Sequence, residues 1–135
     1  MQRLIKKLLE DKTLAILAIA YTLFISIGLL MPSQGLLPST GELPIDKLFH
    51  AVLNCLLIVL WLSFVYAKQN KMITAVSIYT VFGLCLVYGI VIEVLQGVFT
   101  TYRQADYLDV LANLVGLLIG VGLFRRFKDK IFNLS

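Results

Sequence analysis

Nine polar side chains have types and spacings that suit chemistry in an otherwise apolar chain: Asp46, Lys47 and His50, then Glu93 and Gln96, then Arg103, Asp106, Asp109 and Asn113. Four carboxylates with the single histidine are a set for proton exchange near neutral pH. Arg103 is the group that would hold a phosphate, and Lys47 is a cation that could pair with a nearby acid. His50 with Glu93, Asp106 and Asp109 is also a donor set for an oxygen-preferring cation, but no metal-ligand spacing demands one, so neither a metal nor a cofactor is assigned from the sequence.

Each residue also has a purely structural reading. Asp46 and Asp106 suit helix N-caps, and Asp109 suits the third helical position, where the helix dipole favours an acid. Asn113 lies about two turns in, beyond the reach of capping, and calls for an interhelical hydrogen bond or a site role. Glu93 closes an apolar run, against the negative end of the dipole, and a charge within a span costs roughly 2.5–3.5 kcal/mol, less toward its edge. A partner is therefore expected for it among Arg103, Lys47 and protonated His50, either as a lock between helices or as part of a site.

The elements that position these groups follow from composition. With 59% hydrophobic and 15% charged residues, the chain has the make-up of a membrane protein rather than a soluble domain. Four apolar runs, 13–31, 48–67, 72–92 and 107–124, are each close to the ~20 residues that cross a bilayer as a helix. Lipid cannot satisfy free backbone groups, and so short a chain cannot close a barrel. The expected fold is all-α: four transmembrane helices in one bundle, forming a single integral membrane domain over residues 1–135.

Pro32, Gly35, Pro38, Gly41 and Pro44 break the chain after the first run, and residues 68–71 make a tight turn between the second and third. The N-terminal run is too long for a signal peptide and lacks a cleavage site, so it reads as a retained helix. Cys55 and Cys85 fall inside apolar runs, as small buried hydrophobes do.

The net charge of +4 does not point to nucleic acid, because the basic residues flank apolar runs; the lipid bilayer is the partner they suit. Arg3, Lys6, Lys7, Lys12, Lys68, Lys71, Arg125, Arg126, Lys128 and Lys130 fall on one side of the expected topology, against Lys47 and Arg103 on the other. The positive-inside rule then places both termini in the cytoplasm and loops 32–47 and 93–106 outside, with Phe99, Tyr102 and Tyr107 in the outer aromatic belt. All nine polar residues thereby collect at the outer end. Asp46, His50 and Asn54 repeat every four residues along one face; Asp106, Asp109, Asn113, Gly116 and Gly120 follow steps of three and four along another. Gly116 and Gly120 form a Gly-x-x-x-Gly, a signal for close helix packing.

The ordered set Asp46-Lys47-Leu48-Phe49-His50, Glu93-Val94-Leu95-Gln96 and Arg103-x-x-Asp106-x-x-Asp109-x-x-x-Asn113-x-x-Gly116 closely resembles the VanZ-like family of small bacterial membrane proteins over roughly residues 31–124. Asn54 is a departure, standing where relatives more often carry an aromatic. The resemblance implies a multi-pass protein of the bacterial cytoplasmic membrane, in a family whose founding member is associated with low-level resistance to the glycopeptide teicoplanin. It implies no settled mechanism. The first expectation is a non-catalytic envelope factor that binds a lipid-linked cell-wall component or a partner at the outer face. The second is a membrane-embedded enzyme acting on a lipid head group, with His50, Glu93 or Asp109 in acid–base work and Arg103 holding a phosphate. A channel fits less well, because the middle of every run lacks charge.

Overall fold

The computed structural model describes residues 2–31, 45–99 and 106–133. A short helix, α1 (Gln2–Leu8), precedes four long ones: α2 (Asp11–Leu30), α3 (Ile45–Lys68), α4 (Ala75–Phe99) and α5 (Tyr107–Phe132). The four long helices are sufficiently long and apolar to cross a membrane. Their apolar side chains are not confined to one stripe. On α2 the buried residues are Leu14, Ala18, Ile25 and Leu29, spaced to lie along one side, while Ile16, Ile19, Leu23, Phe24 and Ile27 face outward. Such an outer surface is stable against hydrocarbon, which solvates it as well as a protein core would.

The long helices alternate in direction. Ser26 and Leu29 of α2 pair with Tyr88 and Gln96 of α4, so these two run the same way. α3 and α5 also run together, from contacts at Lys47 and Asp106 to contacts at Lys71 and Phe132. One end of the bundle thus holds Leu29, His50, Gln96 and Asp109, and the other holds the α3–α4 turn and the end of α5. That turn needs two residues with left-handed backbone, Asn70 (φ 52°) and Lys71 (φ 63°), and asparagine is among the residues that adopt it most readily. Thr74 Oγ1 then accepts the Ser77 N–H at 3.1 Å, satisfying an otherwise orphaned donor at the start of α4.

α3 is the central element, and α5 is its most extensive neighbour. The two backbones meet at glycine. A Cβ on Gly116 would lie 2.8 Å from the Ala51 Cα, and one on Gly120 would lie 2.8 Å from the Cys55 carbonyl oxygen, besides striking the Ile58 side chain. Neither can be relieved by turning a flexible side chain, because backbone atoms are in the way. Cys55 and Cys85 are both free thiols.

α4 starts at Ala75 rather than 72, inside its apolar run, and three helix ends lie well beyond theirs. α3 starts at Ile45 rather than 48, α4 runs to Phe99 rather than 92, and α5 to Phe132 rather than 124. The reason is the same for these three: charge ends a hydropathy run, but it does not end a helix whose charged residue has a partner. Glu93 is buried within α4, so the helix passes straight through it. Beyond Phe124, the ring of Tyr66 meets Phe124 and Phe132 edge-on, its hydroxyl bonds Asp129 at 2.9 Å, and Lys71 Nζ donates to the Phe132 carbonyl at 2.7 Å. These contacts carry the last two turns and cap their end, where a cation complements the dipole. Phe99 and Tyr107 are both largely exposed, while Tyr102 and the Pro- and Gly-rich stretch after α2 lie outside the described residues.

Gly116→Ala or Gly120→Ala is expected to lower stability by about 1–3 kcal/mol through overpacking. Gly122→Ala, where a Cβ meets nothing within 4 Å, is expected to be close to neutral. Thermal unfolding of the purified variants in one detergent checks the contrast.

Candidate functional site

The site is built around the start of α5. Asp106 is the N-cap: its Oδ1 accepts the Leu108 N–H at 2.9 Å, and its Oδ2 faces Lys47 Nζ of α3 at 3.0 Å. Its own backbone N–H donates to Glu93 Oε1 of α4 at 2.9 Å. One residue thus ties three helices together. In a capping box, the acid three residues after the cap reaches back to the cap's N–H. Here Glu93 takes that donor from a neighbouring helix, and Asp109, in the capping-box position, turns its carboxylate into the bundle instead.

Asp109 meets two groups of α3. Its Oδ1 is 3.2 Å from Lys47 Nζ, and its Oδ2 is 3.9 Å from His50 Nε2, too long for a hydrogen bond. His50 is 1% exposed, and neither of its ring nitrogens has a hydrogen-bond partner among the described residues. The same holds for Glu93 Oε2. Asp46, one turn before His50 and only partly buried, brings a carboxylate oxygen to within 4.8 Å of donor atoms on His50 and Asp109. Among the described residues, Asp106 and Asp109 thus share Lys47, Glu93 meets the backbone of Asp106, and Asp46 stands beside His50 and Asp109. One turn deeper, Asn54 Nδ2 donates to Asn113 Oδ1 at 2.6 Å and to the His50 carbonyl at 3.1 Å. Gly89 of α4 makes room for this pair, since a Cβ there would lie 3.2 Å from Asn113 Nδ2.

The structure thus brings together Asp46, Lys47, His50, Glu93, Asp106, Asp109 and Asn113. Arg103 lies outside the described residues. Gln96, though it follows Glu93 by three residues, is directed to α2, where its Nε2 donates to the Leu29 carbonyl at 2.8 Å. Glu93 pairs with a backbone N–H rather than with Lys47 or His50. Asn54 was not among the candidates, although its spacing of four from His50 placed it on their face; its partner on α5 makes it part of the cluster. A separate seam lies deeper, where Trp61 Nε1 donates to Thr22 Oγ1 at 3.2 Å and Ser26 Oγ lies 2.7 Å from Tyr88 Oη, joining α2 to α3 and α4. Leu57, Trp61, Val81, Cys85 and Tyr88 line a cavity there of about 230 Å3, an almost wholly apolar space.

Chemically, the cluster pairs a fixed ammonium with a set of acceptors whose hydrogen-bonding capacity is only partly used. It can bind a group that donates to Glu93 and engages His50, or, with a bridging hydroxyl or water, relay a proton between His50 and Asp109. The Asp106 carboxyl is held below the usual carboxylate range, first by the Leu108 N–H and then by Lys47.

The VanZ/LLP1 family profile matches residues 12–128 of the chain, which takes in α3, α4 and almost all of α2 and α5. No curated protein and no solved structure matches it.

Two outcomes follow from the geometry. Alanine at Asn54 and at Asn113 is expected to show a favourable coupling of about 0.6 kcal/mol, and at most ~1.7 kcal/mol, in a double-mutant cycle read by thermal or denaturant unfolding. Because the Asp106 pKa is lowered, the stabilisation it gives is full above the ordinary carboxylate range of about 4 and is lost as pH falls through its depressed value. Asp106→Asn keeps a cap acceptor but removes the titration, so the acid limb of stability against pH is expected to flatten.

Proposed function

The chain belongs to the VanZ/LLP1 family, and on that premise we propose that it is a multi-pass protein of the bacterial cytoplasmic membrane whose outer-face polar cluster binds the head group of a lipid-linked cell-wall component without transforming it. The observation that carries this reading is the buried, unmet hydrogen-bonding capacity of His50 and Glu93 Oε2, set beside the half-exposed ammonium of Lys47. Buried polar atoms are nearly always satisfied, so a polar ligand or water is the natural complement of such a cluster. The outward orientation rests on the ten-to-two distribution of Lys and Arg. Occupying a cell-wall precursor at that face alters how an amphiphilic glycopeptide such as teicoplanin reaches its target, and this is the cellular effect proposed.

The catalytic alternative draws on one observation, the approach of His50 to Asp109, which is an acid–base pair near the proposed head group. We favour binding because the cluster, among the described residues, has no serine, threonine or cysteine placed as a nucleophile, and because its acids and lysine are what holds three helices together.

Glu93→Gln retains the acceptor for the Asp106 N–H, and Asp109→Asn retains an acceptor for Lys47. Both variants are expected to reach normal membrane abundance and to lose head-group binding and the shift in teicoplanin susceptibility. Normal abundance with both properties intact would sink the site reading. A labelled lipid-linked precursor recovered unchanged and in stoichiometric amount supports binding, whereas turnover supports the enzyme. A reporter fused after Gln34 is expected to report the outside; a cytoplasmic signal reverses the orientation.

A further inference from the structure

We propose that Asp46, His50 and Asp109 form a binding site for a divalent metal ion of intermediate hardness, of the Zn2+ or Mn2+ class. The three side chains each present one donor atom, and these atoms all lie within 4.8 Å of one another. The separation of His50 Nε2 from Asp109 Oδ2 is informative. At 3.9 Å it is too long for a hydrogen bond, yet only about 0.6 Å more than the ~3.3 Å between two donor atoms that each lie ~2 Å from a tetrahedral ion.

Burial supplies the second observation. His50 is 1% exposed and both ring nitrogens lack a hydrogen-bond partner among the described residues. A neutral imidazole has one nitrogen with a bare lone pair. Among the described residues no donor meets either ring nitrogen, and Nε2 is turned toward Oδ2 of the Asp109 carboxylate, whose Oδ1 faces Lys47. A cation between them satisfies both groups at once.

The surroundings are arranged as they are around bound metals. Asp46 and His50 stand four residues apart on α3, so both reach the same side of the helix. Asp109 comes from the neighbouring helix, with its other oxygen held by Lys47 at 3.2 Å, an outer contact that fixes the carboxylate with Oδ2 toward His50. Asp106 and Asp109 share the one ammonium of Lys47, so a divalent ion beside Asp109 meets charge that the lysine alone does not offset. One imidazole with two carboxylates suits zinc or manganese better than the thiolate-preferring ions. Three protein ligands also leave a tetrahedral ion one open position for water or an oxygen of a bound head group.

The test uses the full-length chain without an affinity tag, purified in detergent and stripped with a chelator. Titration calorimetry with Zn2+ and with Mn2+ is expected to give one ion per chain for at least one of them, and His50→Asn and Asp109→Asn are each expected to weaken it at least about tenfold. Should either variant fail to fold, the wild-type chain decides alone: Co2+ is expected to give a visible spectrum of four- or five-coordinate nitrogen and oxygen ligation that Zn2+ bleaches. No stoichiometric ion on the wild-type chain, or unchanged affinity in folded His50→Asn, overturns the inference. The head-group reading fails separately, since metal binding is measured without lipid and head-group binding can be measured on the stripped protein.

Discussion

The close approach of α3 and α5 is the constraint on which the other arrangements rest. Helices in lipid gain little from burying apolar surface against one another, so association depends on fit and on the polar contacts that fit permits. Gly116 and Gly120 remove the side chains that would hold the two backbones apart at Ala51 and Cys55. Only at that distance can a short amide such as Asn54 reach Asn113, or Lys47 reach both aspartates of α5. A longer separation would leave each of these groups buried and alone, which costs more than never having had it.

The polar end is also economical in the groups that it uses. Asp106 is at once the cap of α5, the partner of Lys47 and, through its backbone, the anchor of Glu93. Glu93 satisfies a donor that would otherwise call on Asp109, and Asp109 is thereby available to His50. Structural and chemical readings of these residues are therefore not exclusive. The lock between helices is what holds the unsatisfied atoms in place.

Much of this was legible in the residues themselves. Four spans follow from apolar length, and the facing of His50, Asn54, Asp109 and Asn113 follows from steps of three and four. The ends of the helices were not legible, because a hydropathy run stops at Glu93 or Arg125 whether or not the backbone does. Glu93 invited a cationic partner on grounds of charge; Arg103 lies outside the described residues, and among these the group that meets Glu93 is a backbone N–H, which every residue but proline has, so only the fold selects which. Gln96 shares a broad face with Glu93, yet 60° of helical turn separates a side chain aimed at α5 from one aimed at α2. Asn54 was visible as a spacing and became meaningful only with its partner.

The lengths of the helices have one further consequence. α3, α4 and α5 have 24, 25 and 26 residues, hence about 36–39 Å of helix for a hydrocarbon layer of ~30 Å. The surplus is accommodated by tilt or by turns that stand among the lipid head groups. The polar cluster occupies the first turns of α3 and α5 and the penultimate turns of α4; the surplus of α3 and α4 falls there, and that of α5 falls at the other end, beyond Phe124. Membrane thickness then bears on the partly exposed Lys47 and Asp106, whereas the surrounding helices screen His50 and Glu93 from the bilayer.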